Sequence, residues 1–457
     1  MPRALLTVAA SVFLLPGVAL AQNSLAKQAR ETMKKARAFF RSIATYGGYC
    51  GSYSLDLKRR YGEARYERAG RTEIWVQPPG TPTVGETFLR AGRATGGREY
   101  LAAAAEVGRA LAWGQRRAGG WDHRADLAHV RPDAKRPVRV RGRCTLDDNI
   151  TQGALSFLID LDQVIDAPWL TESVKLGLRF VRTAQFKNGA WPQWYPLRGG
   201  YHDYYTFNDN AINDCIRVLL KAHRVYGRAE DLAAARRGGD FIIRSQLPAP
   251  QSGWAQQYAR DLKPAWARAF EPPGVCTAVT ARNLRTLVDL HLYTRDARYL
   301  RPIPAAIRWL ERSKLGEGRW ARLYELGTNK PIYGDRDRKV HYTLAEISAE
   351  RRSGYSWQSS YGIPGAVRYY QTVKQLGAER YLAGRAKPIT AAQQRARARA
   401  LEPEVRKIIA ALDAKGRWAE RIDRKGRPLK ELAIHTQTFV RNMNTLCEYL
   451  ERIKAGS

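Results

Sequence analysis

Cysteine, acidic residues and long apolar runs are all scarce in this 457-residue chain, and each scarcity removes a class of protein. The five cysteines, Cys50, Cys144, Cys215, Cys276 and Cys447, are odd in number, and no two stand at a redox or metal-ligand spacing. Neither a disulfide framework nor a zinc finger is expected, and Cys215 and Cys276, on apolar helical stripes, read as small buried thiols. No stretch beyond the first residues approaches the apolar length that spans a bilayer. The alternation that marks half-buried strands is almost absent, as is any Ser-, Gly- or Pro-rich linker that would divide the chain. Carboxylates number 43 against 77 Lys and Arg, a formal net charge of +34. Such an excess implies a polyanionic partner: an acidic polysaccharide, an envelope surface or nucleic acid. Arginine is nevertheless spread along the whole chain, as in any basic proteome, so charge alone does not choose among them.

The N-terminus reads as an export signal over 1–21: Arg3, the apolar run Ala4 to Pro16, then the small-x-small pattern Ala19-Leu20-Ala21. Residues 22–80 read as an N-terminal helix and an extended segment, in which Arg59 to Gly80 is a loop before a first inner helix near Thr83. Residues 81–457 exceed the usual size of one core and read as a single repetitive body. Ala386 to Ala400, rich in Ala, Arg and Gln, reads as helix.

Apolar residues recur at helical spacing, as in Ile212, Ile216 and Leu219 or Val174, Leu178 and Val181. Helices come in pairs, each pair followed by a glycine-containing turn and a tryptophan: Trp121, Trp191, Trp254, Trp320 and Trp418. The interval is near-regular until Trp320 and longer before Trp418, which implies an insertion. Gln115, Gln185 and Gln246 stand shortly before the first three tryptophans, where the second helix of the pair ends. One such pair cannot bury its apolar face, so neighbours must stack. The expected fold is all-α: an α/α toroid, or incomplete barrel, of repeated helix pairs with long loops gathered at one end. Asp147, Asp209 and Arg268 each follow a repeat tryptophan and precede an inner helix, so three successive repeats deliver charged groups to one mouth.

Asp147-Asp148-Asn149 and Asn208-Asp209-Asn210 open two helices with the same acidic and amide cluster. Helix N-capping explains either cluster alone. Two in the same loop register suggest instead carboxylates that face a cavity, with Asn oxygens beside them, in the oxygen-rich manner that holds calcium. The spacing is not that of an EF-hand. The stretch Lys263 to Pro273 sets Arg268 and Glu271 among Trp266 and Phe270, which either form an ion pair over buried rings or a site. Farther on, Arg322, Arg336, Arg338, Arg351 and Arg352 mix with Tyr324, Tyr333, Tyr342, Tyr355 and Trp357, a combination in which rings stack on sugars and guanidinium forks grip carboxylates.

These strings resemble a known family, the pectate lyases of polysaccharide lyase family ten, also called pectic acid lyases. The resemblance is carried by Thr145-Leu146-Asp147-Asp148, Asn188 to Pro196, Thr206-Phe207-Asn208-Asp209-Asn210-Ala211 and Ala267-Arg268-Ala269-Phe270-Glu271-Pro272. Trp320 to Glu325 and Glu350 to Trp357 extend it, and the order is shared from about residue 80 onward. The chain departs from the family at Asp147-Asp148-Asn149, where a single Asp followed by Asn is more usual, and this leaves open which carboxylate would bind metal. Tyr46 to Glu63 resembles an N-terminal region of a subgroup.

The resemblance implies calcium-assisted β-elimination of polygalacturonate to 4,5-unsaturated products, by an exported, periplasmic or secreted enzyme expected to be monomeric and without a nucleic-acid partner. It implies Arg268 as base and Asp147, Asp148 and Asp209 as calcium ligands. Arg322, Arg336, Arg352, Tyr355, Asn210, Trp191 and Lys263 are the expected substrate contacts. An arginine base conflicts with the rule that arginine stays protonated in proteins, and Lys263, if buried, is the alternative acceptor. Two other functions fit the same features: a glycoside hydrolase using two carboxylates, and a polyanion-binding protein without turnover.

Overall fold

The computed structural model describes residues 16–63, 67–130, 138–422 and 428–456. Residues 1–15 of the expected export signal over 1–21 lie outside them, and Ala19 to Ala21 fall on the helix Pro16–Ser42.

Six inner helices pack side by side in the order Thr436–Gly456, Thr81–Thr95, Ile150–Asp162, Ala211–Tyr226, Thr277–Thr294 and Ile363–Leu376. The last helix of the chain thus lies against the first inner one, and the helices curl into an α/α toroid. Arg98–Gly114, Pro168–Thr183, Ala229–Arg244 and Ile303–Arg312 back successive inner helices. Ala391–Ala410 and Pro16–Ser42 back the inner helix Thr436–Gly456. The expected helix over 386–400 is broken at Lys387, which ends Ala378–Ala386, and resumes at Ala391 under a Thr390–Gln393 capping box.

Each repeat tryptophan does the same job. The indole N–H of Trp121, Trp191, Trp254, Trp320 and Trp418 donates to the carbonyl of Leu111, Val181, Ile242, Leu310 and Ile408 at 2.7–2.9 Å, tying the turn to the helix it leaves. Gln115, Gln185 and Gln246 each donate one amide N–H back to that turn and another to the next outer helix or its start. The turn glycine is obligatory at Gly189, where φ is +94° and a Cβ would stand 2.1 Å from the Arg237 carbonyl oxygen.

Short strands, which periodicity does not reveal, stitch one repeat to the next. Cys144–Thr145 pairs with Trp194–Tyr195, and Tyr205–Thr206 with Gln257–Tyr258. Val275–Cys276 lies between Trp254–Ala255 and Leu323–Tyr324. Pieces of two or three residues are too short for alternation to show. Their effect is positional, because the loops entering helices 150–162, 211–226 and 277–294 are each bound to the segment that follows the next tryptophan. All five cysteines are buried as free thiols.

Candidate active site

The loops entering helices 150–162 and 211–226 have the same backbone. Asp148 and Asn149 lie at φ +49° and +56°, Asp209 and Asn210 at +47° and +66°. Asp and Asn tolerate this left-handed region better than other residues. Neither Asn149 nor Asn210 makes a side-chain capping bond. The acidic clusters are therefore not helix caps, and the double turn instead aims carboxylates across the ring.

Asp147, Asp148 and Asp209 each offer a carboxylate oxygen, all within 4.8 Å of one another. Asp147 is 9 % exposed; its Oδ2 accepts from Gln193 Nε2 at 2.5 Å, and its Oδ1 is buried without a partner. Burial raises its pKa well above the carboxylate range, and the charges of Asp209 and Asp148 push it further, against the Gln193 bond and Arg268. Asp148 accepts from Gln77 at 2.8 Å, and Asp209 from the Asn208 amide at 2.9 Å. Such like charges converging on an orphaned buried oxygen suit a hard divalent cation, which would supply the missing partner.

Arg268 reaches this cluster from the third repeat, with Nη2 4.0 Å from Asp209 Oδ2. Glu271 holds it through Nε–Oε2 at 2.7 Å and Nη2–Oε1 at 2.5 Å, and the Tyr355 hydroxyl donates to the same Oε1 at 2.9 Å. Burial works against the guanidinium's charge, but the Glu271 hydrogen bonds and charge outweigh it and lift the pKa above the ordinary arginine value. The expected ion pair and the expected site are one structure: the side chain of Arg268 is 41 % exposed and that of Glu271 1 %. Arg322 is buried behind them, donating to Gln256 Oε1 at 2.9 Å, with its guanidinium 4.4 Å from the Tyr355 ring centre. Gln193, Tyr201, Asn208 and Gln257 line the hollow beside Arg268 and Glu271.

Several expected contacts sit elsewhere. Trp191 is fully buried with its indole N–H used by Val181, so it packs the repeat and touches no ligand. Lys263 is 82 % exposed and paired with Asp261, so the burial on which its alternative role as proton acceptor rested is missing. Arg336 lies on the surface against Glu350, and Arg352 points at the carbonyls of Leu344 and Ala345. Its neighbour Arg351 turns inward instead, 4.4 Å over the Phe270 ring. Asn210 is half-buried at the entry to its helix. Sequence reasoning passed over Gln193, Gln256 and Tyr201, which stand next to two-residue strands or on a single 3-10 turn and so leave no periodic trace.

The sequence signature of the pectic acid lyases matches residues 115–319 and 312–364, a span that contains the three carboxylates, Arg268, Glu271, Arg322 and Tyr355. The chain belongs to the pectic acid lyase family. Polysaccharide lyase activity is the class of chemistry this membership carries. No protein of curated function gives a match.

Among solved structures the lyase chain is similar to a family 10 polysaccharide lyase from Cellvibrio cellulosa, 25 % identical over 59 % of this chain and 90 % of that one, TM-score 0.49. A mutant of that enzyme in complex with trigalacturonic acid is 24 % identical over 58 % and 91 %, TM-score 0.49. A cellobiose 2-epimerase from Bacillus thermoamylovorans is 13 % identical but covers 94 % of this chain and 100 % of its own, TM-score 0.50, which is a likeness of fold alone.

Proposed function

We propose that this lyase cleaves pectate by calcium-assisted β-elimination at the mouth of the ring. The observation that carries the reading is the meeting of three carboxylates, one with an orphaned buried oxygen, and a guanidinium from the next repeat. Asp147, Asp148 and Asp209 would hold the cation. Calcium held by these residues would supply the charge withdrawal from a galacturonate carboxylate that acidifies the proton at C5.

Arg268, which reaches the cluster from the third repeat, is the group we assign to take the C5 proton. The C5–H bond breaks as its proton passes to the base, its electrons form the C4–C5 double bond, and the C4–O4 bond breaks to release the leaving sugar, whose O4 takes up a proton in return, so that no water is consumed. Glu271 and Tyr355 fix the direction of the Arg268 fork, and Arg322 supports Tyr355 from behind. Because Glu271 keeps Arg268 charged, a base role requires the guanidinium first to lose a proton, and turnover is expected to climb toward alkaline pH. An export signal over 1–21, as the sequence reads, would carry the enzyme out of the cytoplasm, where a polymeric acidic substrate is met.

The experiment is turnover of polygalacturonate followed by ultraviolet absorbance of the conjugated product. Wild type should give a rising signal that Arg268→Ala abolishes with helical circular dichroism intact. Reducing sugar released without absorbance would mean hydrolysis, and binding without any product would mean a non-catalytic carrier.

A further inference from the structure

Along the outer helix Pro168–Thr183 runs a groove of about 790 Å³. Arg117, Arg139, Lys175, Arg179, Arg182 and Arg228 line it, and among the described residues Leu176 is its lone apolar side chain and Glu172 its lone carboxylate. Arg117 and Arg139 come from the loop after the preceding outer helix, and Arg228 stands at the start of the next one, Ala229–Arg244. The stacking of three repeats, and not one basic segment, gathers these charges.

Some of the six are already satisfied. Arg139 donates to Glu172 at 2.8 Å, and Arg182 bonds Asp231 with Glu230 3.9 Å away. Arg228 lies 4.9 Å over the Tyr226 ring and also faces Asp231. Arg117, Lys175 and Arg179 are exposed and, among the described residues, have no carboxylate partner. With Glu230 and Asp231 counted beside Glu172, cations still outnumber carboxylates two to one. Lys175 and Arg179 stand one turn apart on the same helix face, a like-charge pairing that weakens a helix. A polyanion in the groove turns that repulsion into attraction.

What the groove lacks narrows the partner. Its lining offers no aromatic ring on which a nucleic-acid base would stack, and one leucine gives a membrane no apolar face to meet. Guanidinium forks suit carboxylates. Lys175 and Arg179 step about 6 Å along the helix axis at 1.5 Å per residue, close to the length of one sugar unit. The groove is also joined to the mouth, because Asp147 follows Arg139 by eight residues, at most roughly 29 Å of chain. A long polymer reaches both places, whereas a short oligomer held at the mouth does not.

We infer that this groove is a second binding site for acidic polysaccharide, a hold on the polymer outside the place where it is cleaved. The choice of a uronate rests on the pectate reading of the mouth, but none of the groove residues belongs to the carboxylate cluster or touches Arg268. A net charge of +34 guarantees unpaired cations somewhere on the surface. It does not gather them from three repeats into one hollow, and the test separates the two.

Retardation of the full chain in gels containing polygalacturonate, run in EDTA, measures binding without turnover. The triple variant Arg117→Glu/Lys175→Glu/Arg179→Glu should bind at least about tenfold more weakly than wild type. Arg397→Glu/Arg399→Glu/Lys407→Glu makes the same change of charge at exposed positions of helix Ala391–Ala410, away from the groove, and should weaken binding less than about threefold. In turnover the groove variant should raise KM for polygalacturonate with kcat unchanged, and leave trigalacturonate kinetics as in wild type. Undiminished retardation of the groove variant would overturn the inference. So would an equal loss in the control, which would mean net charge alone, or an equal loss of single-stranded DNA binding, which would mean a surface for any polyanion. Wild type that forms no conjugated product would sink the pectate reading, while the retardation still decides the groove.

Discussion

The loops entering helices 150–162, 211–226 and 363–376 make the same double left-handed turn, yet two carry Asp-Asn and the third carries Tyr361-Gly362, at φ +46° and +69°. The first two hold Asp148 and Asp209, which join Asp147 at one focus. In the third, the Tyr361 hydroxyl donates to the carbonyl of Ser356 and the turn only redirects the chain. The backbone device thus belongs to the repeat, and function was added by the side chains hung on it. A left-handed pair is the structural solution, and acidic residues in it are the chemical one.

The sharpest way to break this comparison is to exchange the chemistry and keep the turn. Asp209→Asn preserves the left-handed preference but removes a charge, and kcat/KM on polygalacturonate should fall by about 10³-fold, roughly 4 kcal/mol of transition-state stabilisation. Tyr361→Asn makes the third loop resemble the other two, and should change kcat/KM less than about threefold. Equal losses in both variants would mean the loops matter only as scaffolding.

Calcium gives the next effect. The pKa of Asp147 is raised in the fold, so without metal its contribution to stability is complete at low pH and is lost as pH rises through that raised pKa. Calcium held by the deprotonated cluster, as proposed, would replace the lost term. Added calcium should therefore raise Tm more at pH 8 than at pH 5, and Asp147→Asn should erase the difference; an equal rise at both values, measured by thermal unfolding, would contradict it.

The smallest effect is the turn's own conformational cost. Asn149→Ala should destabilise by about 1 kcal/mol, because alanine pays for positive φ without local hydrogen bonding, and Gly362→Ala should cost about the same. Asn149→Gly should be close to neutral. Denaturant unfolding of the three variants would show whether both turns carry the same strain.

Much of this was legible in the residues. The spaced tryptophans announced the helix pairs because each indole performs one conserved geometric task within the chain, from Trp121 to Trp418. The convergence of Asp147, Asp209 and Arg268 followed from loop register alone. What could not be read was direction. Arg351 and Arg352 are adjacent, and only the short helix Ala349–Gly354 decides that the first turns toward Phe270 and the second toward Leu344. Trp191 was both a repeat tryptophan and, by the family resemblance, an expected substrate contact, and burial alone separates the two. The double left-handed turn had an accurate cue in Asp-Asn, but Tyr361-Gly362 offers only its glycine.

Calcium titration of the chelated protein by calorimetry tests the central claim most directly. Asp147, Asp148 and Asp209 acting as one site predicts a single calcium per chain, lost in Asp209→Asn and Asp147→Asn alike and unaltered in Tyr361→Asn. Undiminished calcium binding in both aspartate variants would show that the two acidic loops do not share an ion.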